Sequence, residues 1–412
     1  MRLAIMGAVL LAVGGLAVST GLLPLSDVTV LVERVAPILL FVASMTVVTE
    51  LASEAGIFRW VARRFRHWGR GRHVLLWLIV AGFAAVCTVF LSLDTTAVLL
   101  TPVVVSVARQ AGLPALPLAL TTVWMANTAS LLLPISNLTN LLAQNSMGGI
   151  SPARFAAMMW APAIAAAVVP LLFIGLVFRA DVRKRYNRIP VTRLRHEEAV
   201  SVGPAGSLAS GGQLAASGLP ATDRALLGAS SAVLVILLPV LVSGVPVWIP
   251  STAAAAVLIA IFAVRRRRAL SFSLVPWSLL LFASGLFLVM ETVRHLGGPA
   301  ALGQLAGRGN GFAGLLQLAA TGALSANLLN NLPAYLLAEP LAATPQRLAA
   351  LLIGANAGPL ITPGASLATL LWHDRLIRMN VLISWRGYAL FGLIVAPLTV
   401  LAAVTALVLA HV

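Results

Sequence analysis

Two sixteen-residue stretches decide how this chain is read. Asn127-Thr-Ala-Ser-Leu-Leu-Leu-Pro-Ile-Ser-Asn-Leu-Thr-Asn-Leu-Leu142 aligns without gaps on Asn356-Ala-Gly-Pro-Leu-Ile-Thr-Pro-Gly-Ala-Ser-Leu-Ala-Thr-Leu-Leu371. Six positions are identical, among them Asn127/Asn356 and Pro134/Pro363. Leucine matches arise readily in leucine-rich sequence; a matching Asn and Pro in the same order of elements do not. Each proline lacks a backbone donor and clashes with the turn before it, so an apolar helix breaks there. Paired interrupted helices in the two halves of a chain point to a transporter's binding site.

Outward from these stretches the chain is apolar. Hydrophobic residues make up 60% and charged ones 10% of 412 residues, with a mean hydropathy of +0.98. A soluble domain carries about 25% charged residues. Runs long enough to cross a bilayer predict spans at Leu3–Leu22, Val28–Glu50, Leu116–Gln144, Phe155–Phe178, Ala225–Gly244, Val247–Val264, Val275–Val293, Arg347–Trp372 and Tyr388–Ala410. Met1-Arg2 followed by Leu3–Leu22 resembles a signal peptide, but more spans follow and no small-residue cleavage site does. It reads as an uncleaved first helix. The expected fold is an all-α polytopic membrane protein with about nine full spans plus two hairpins.

The net charge of +16 would suit nucleic acid if it formed one basic face. It falls instead in short blocks between apolar runs, where the positive-inside rule places it. With Met1 cytoplasmic, all but five of the 28 Lys and Arg lie inside, the exceptions being Arg34, Arg154, Arg294, Arg308 and Arg347. The N-terminus is therefore expected inside and the C-terminus outside, in the inner (plasma) membrane, with no nucleic-acid partner. The lone Cys87 excludes a disulfide within the chain.

Residues 180–222 form the one long loop, basic at first and then rich in Gly, Ser, Ala and Pro. This predicts a first repeat at 1–195, a flexible cytoplasmic linker at 196–222 and a second repeat at 223–412. Each repeat holds a polar-tipped hairpin, at 73–110 with Leu91–Thr96 as its tip and at 311–343 with Leu328–Pro333. Each hairpin is either re-entrant or two full spans; charge counting cannot separate these. In the expected topology the hairpins open from opposite sides and the broken helices, 116–144 and 347–372, run in opposite directions. That is an inverted repeat. The segment 53–72 interleaves Ile57, Phe58, Trp60, Val61 and Phe65 with arginines and reads as a surface amphipathic helix. Thr292–Asn310 takes the equivalent place before the second hairpin.

Polar residues gather at the tips and breaks. Broken backbone at membrane depth survives only against protein or a wet cavity. The candidate substrate-binding residues are accordingly Thr95, Thr96, Asn127, Thr128, Ser130, Ser136, Asn137, Asn330, Asn331, Asn356, Thr362 and Ser366. The bland alternative is ordinary hydrogen bonding between helices. Asp94 is the candidate proton-coupling residue, because an ionisable group inside an apolar hairpin is costly and functional by default; the alternatives are a salt bridge or a cap on the second arm. Glu33 is expected to pair with its neighbour Arg34, while Glu50, Glu54 and Glu291 read as interfacial and Glu339 stays unassigned. No GxxxxGK[ST], HExxH or GxSxG pattern occurs, so no catalytic, metal or cofactor site is expected and the chain reads as a non-enzyme.

Gly358-Pro-Leu-Ile-Thr-Pro-Gly-Ala-Ser-Leu-Ala-Thr-Leu-Leu-Trp372 resembles the signature of the ArsB-type arsenite/antimonite efflux permeases. Asn330-Asn331-Leu332-Pro333, Ala126–Ser130, Ser136-Asn137-Leu138 and Gly56–Trp60 resemble other parts of that family. The resemblance implies the wider ion transporter superfamily, with a scaffold and elevator-like moving parts. It also implies proton-coupled antiport of trivalent arsenic or antimony, conferring arsenical resistance, in some members with a cytoplasmic ATPase subunit. The tip Leu93-Asp94-Thr95-Thr96-Ala97 departs from the family's usual Asn-Asp-Gly-Ala-Ala, and the family tends to have one more N-terminal span.

Arsenous and antimonous acids are neutral trihydroxides and suit a ring of amides and hydroxyls without cationic clamps. A sodium/proton antiporter and a sodium-coupled organic-anion carrier are the rivals within the superfamily; a like charge at Asp94 disfavours a carboxylate substrate, whereas its oxygens suit sodium. A non-transporting membrane anchor, from another class, has no use for paired polar breaks.

Overall fold

The computed structural model describes residues 2–186 and 223–410. The linker expected at 196–222 lies outside the described residues.

The first half runs α1 (Arg2–Ser19), α2 (Leu25–Glu54), α3 (Ile57–Trp68) and α4 (His73–Leu91). It continues through a return arm, with α5 (Leu93–Thr95), a π-helical turn at Thr96–Leu100 and α6 (Thr101–Gln110). Then come α7 (Ala115–Thr128), α8 (Leu138–Ser146), α9 (Pro152–Val177) and α10 (Arg179–Val182). The second half has α11 (Arg224–Val242), α12 (Trp248–Arg265), α13 (Trp277–His295), α14 (Ala300–Gly303), α15 (Phe312–Leu329), α16 (Asn331–Ala338), α17 (Pro345–Leu352), α18 (Leu367–Arg378) and α19 (Trp385–Leu409). Among the described residues, eight helices are long and apolar enough to cross a membrane: α2, α4, α9, α11, α12, α13, α15 and α19. The expected spans at 116–144 and 347–372 are both interrupted. At 30 residues, α2 extends about 45 Å, more than a hydrocarbon core of about 30 Å, so it tilts or projects.

The helices sort into two groups. In one, α1 packs along α13, α2 along α12, and α11 on α12. Gly285 permits the first contact: a Cβ there would sit 2.6 Å from Leu11 N, the small-residue approach that membrane helices use. Ser44 Oγ and Thr252 Oγ1, 3.0 Å apart, tie α2 to α12. In the other group α4 and α6 pack on α7, α9 on α19, and α15 on α16, α17 and α19. We call these the frame and the inner group.

Two local expectations are corrected. The amphipathic segment 53–72 is split: α2 runs on to Glu54, Gly56 turns with φ +95°, and α3 starts at Ile57. Phe58 and Phe65 are buried and meet Phe83 of α4 edge-on at 6.5 and 5.3 Å, while Arg64 lies over Trp60. The 292–310 segment before the second hairpin holds the end of α13, up to His295, and the four-residue α14. Glu33 does not pair with Arg34. The Arg34 guanidinium bonds Glu339 at the end of the second hairpin and also Ser146 at the end of α8. Helix packing brings these three together, and sequence adjacency cannot report it.

Candidate functional site

The two hairpin tips share one unusual backbone conformation. Ser92 has φ 111°, ψ 159° and Asn330 has φ 106°, ψ 155°, a region almost reserved for glycine. Each ends one arm and caps the next: Ser92 Oγ accepts from Thr95 N at 3.3 Å, and Asn330 Oδ1 from Leu332 N at 3.4 Å. Ser92, not Asp94, is thus the cap of the return arm. Asp94 sits in its first turn, where the positive end of the helix favours a carboxylate.

The two breaks match in the same way. Leu133 and Thr362, aligned in sequence, are both extended (φ −122° and −102°), as are Asn137 and Ser366 (φ −153° and −144°). Between each pair runs a 3-10 turn that begins at the proline.

Side chains then interlock the two broken helices. Asn356 Oδ1 accepts from Asn137 Nδ2 at 3.0 Å and from Thr139 Oγ1 at 2.9 Å, and Asn356 Nδ2 donates to Asn140 Oδ1 at 2.8 Å. Asn140 Nδ2 in turn donates to Ser130 O and Leu133 O, holding the open backbone of the first break. Asn327 of α15 does this for the second break: its Oδ1 accepts from Ile361 N and Thr362 N, and Thr362 Oγ1 donates to Asn327 O at 2.7 Å. Asn330 Nδ2 donates to Gly364 O, and Asn331 Oδ1 accepts from Leu332 N.

The candidate residues therefore separate, eight of them into three places. Asp94, Thr95 and Asn137 line one cavity of about 270 Å³. Asn356 and Asn127 belong to the buried lattice, and Asn330, Asn331 and Thr362 to the second tip and break. The hydroxyls of Thr96, Thr128, Ser130 and Ser136 are occupied by the carbonyls of Ser92, Trp124, Asn127 and Val89 respectively. Ser366 is fully buried and its Oγ has no partner.

The cavity lies where the groups meet. Phe41, Met45, Thr49 and Glu50 of α2 and Ser278 of α13 face Ser92, Asp94, Thr95, Asn137 and Leu371 of the inner group. Asp94 Oδ1 is buried without a hydrogen-bond partner. Among the described residues, none of the side chains lining the cavity is Lys, Arg or His. Glu50 also lines a second opening beside Glu54 and Arg266, so the cavity reaches toward the end of the bundle that carries the basic blocks. Ser92, Thr139 and Asn327 were not among the expected site residues, and Glu50, read as interfacial, lines the cavity. A polar residue in an apolar helix was the signal, but it does not tell which face the residue takes.

Relatives match this architecture. A family model described as "Citrate transporter" matches residues 1–357. The arsenical pump membrane protein of Escherichia coli K12 is 30% identical over 405 residues, covering 92% of this chain and 87% of that protein. That of Yersinia enterocolitica is 31% identical with the same coverage. The YdaH transporter of Alcanivorax borkumensis, at 17% identity and a TM-score of 0.54 over 98% of this chain and 96% of that one, shares the fold. The chain is a multi-pass inner-membrane transporter, and it belongs to the citrate-transporter (CitMHS) family together with the bacterial arsenical pump membrane proteins.

Proposed function

We propose that the protein exports trivalent arsenic and antimony as their neutral hydroxides, exchanging them for protons at Asp94. The observation that carries this reading is the cavity between frame and inner group, lined by Asp94, Thr95 and Asn137 and, among the described residues, by no cationic side chain. A neutral trihydroxide needs hydroxyl, amide and carboxyl partners and no fixed positive charge. A carboxyl with one unpaired oxygen and no facing cation can take up a proton when the substrate leaves and release it when the substrate binds. The inner group moves against the frame as the elevator step, from a state open to the cytoplasm.

Citrate is the second reading, favoured by the description of the matching family model. The two acids Asp94 and Glu50 in the cavity oppose a tricarboxylate, since like charges nearby disfavour one another. Sodium in place of the proton, whether in sodium/proton antiport or in sodium-coupled uptake of an organic anion, would use the oxygens of Asp94 and Thr95.

The test is arsenite accumulation in cells lacking their own exporter. Expression should lower accumulation, and collapse of the proton gradient should abolish the protection; Asp94→Asn should insert normally and fail to protect. Protection that needs sodium, or citrate uptake with unchanged arsenite, would replace this reading.

A further inference from the structure

Four buried polar atoms of the inner group, on α7, at the start of α18 and on α19, have no hydrogen-bond partner. They are Trp124 Nε1, Asn127 Oδ1, Ser366 Oγ and Tyr388 Oη. Trp124 and Asn127 stand one turn apart on α7, and Asn127 Nδ2 reaches Thr369 Oγ1 at 3.5 Å. Ser366 lies one turn before Thr369, whose N bonds Ser366 O at 3.1 Å. Tyr388, in the first turn of α19, lies beside both Thr369 and Trp124 without completing a hydrogen bond to either. All five residues are at most 1% exposed. Leaving four such groups unpaired is costly.

The repeat explains the gap. In the alignment Asn127 corresponds to Asn356, Ser366 to Asn137 and Thr369 to Asn140. Where Asn137 and Asn356 join their amides at 3.0 Å, the other half offers Ser366 and Asn127, and a hydroxymethyl stops one bond short of an amide nitrogen. Both ends of the missing pair are orphaned. We infer that this gap is a second ligand site, distinct from the Asp94 cavity, and that it takes a hydroxyl oxygen.

The donor set defines the chemistry. An indole N–H only donates, Asn127 Oδ1 only accepts, and the two hydroxyls do either. An oxygen carrying a proton matches this set: it can accept from a hydroxyl or the indole and donate to Asn127 Oδ1. A metal cation is turned away by the indole N–H, and a carboxylate by the amide oxygen. Water and one arm of a neutral trihydroxide share this chemistry; only the second source rests on the export reading.

Cryo-electron microscopy of the full chain in nanodiscs, at a resolution that shows ordered waters, tests the site with and without arsenite. An oxygen-sized density between Asn127 Oδ1 and Ser366 Oγ is expected. Density without arsenite assigns water, and density only with arsenite assigns a substrate hydroxyl. Empty maps under both conditions, with Thr369 and Tyr388 resolved, overturn the site. A thermal melt gives an independent check. Ser366→Ala should lower the melting temperature, because an occupied site loses a hydrogen bond. An unchanged or higher value means that only an orphaned hydroxyl was removed, and also overturns the site. Neither readout requires transport, so failure here is distinguishable from failure of the export reading.

Discussion

Asn356 Nδ2 donates to Asn140 Oδ1 at 2.8 Å, and the aligned pair Asn127 and Thr369 makes the same contact at 3.5 Å. The Asn before each break therefore reaches the segment after the other helix's break. The crossing is tight on one side, where Asn137 and Thr139 add two more bonds, and loose on the other. Side chains from both halves of the chain thus cross-link the two broken helices, which the proposed sliding of the inner group against the frame requires.

Asn356→Ala should accordingly destabilise the protein more than Asn127→Ala. It strips partners from Asn137 Nδ2, Thr139 Oγ1 and Asn140 Oδ1 at once, and a buried group left unpaired costs about 1–3 kcal/mol. Asn127→Ala removes one long contact, a bond to the carbonyl of Val123 one turn back in the same helix, and an oxygen that has no protein partner. Thermal melts of both in detergent measure this; equal shifts would mean that the lattice does not carry the crossing.

Much of this was legible before the fold. Pro134 and Pro363 broke the apolar runs because proline removes a donor, and Asp94 stood out in a run without other charges. What stayed hidden was partner choice. Arg34 finds Glu339, 305 residues away, instead of the adjacent Glu33, because the frame brings α2 against the second hairpin. Ser136 spends its hydroxyl on Val89 O rather than on the cavity. Spacing places a residue near a break; packing decides whether its side chain faces substrate or closes a helix end.

The tips should tolerate glycine better than alanine. Ser92 and Asn330 hold φ above +100°, which costs a residue with a Cβ about 1–3 kcal/mol, and each supplies a cap worth about 1 kcal/mol. Alanine keeps the strain and loses the cap; glycine loses the cap and relieves the strain. Ser92→Gly and Asn330→Gly should melt near the parent temperature, with both alanine variants lower. The reverse order would place the value of these residues in their side chains alone.

Arg34 and Glu339 join the frame to the inner group at the end away from the Asp94 cavity. If the groups slide, this contact must open in each cycle. With Cys87 replaced by Ala, a bifunctional thiol reagent bridging Arg34→Cys and Glu339→Cys should stop arsenite export, and a reducible bridge should restore it on reduction. Export through an intact bridge would put the moving boundary elsewhere.

Gly392 offers a test of the second break that leaves every polar candidate untouched. It is buried on α19, and a Cβ there would lie 2.1 Å from Leu360 O and 2.7 Å from Ile361 Cα. Both are backbone atoms, so no side chain can swing aside, and either α19 or the break must shift. A shift at Ile361 draws Thr362 off Asn327, whose oxygen now holds two backbone amides. Gly392→Ala should therefore lower the melting temperature and weaken arsenite protection. Gly82→Ala, where nothing lies within 4 Å of the new carbon, should do neither, because an exposed helical glycine gains up to about 1 kcal/mol on becoming alanine. Matching melts for the two variants would show that the break yields freely, and the lattice around it would then be packing and not a fixed site.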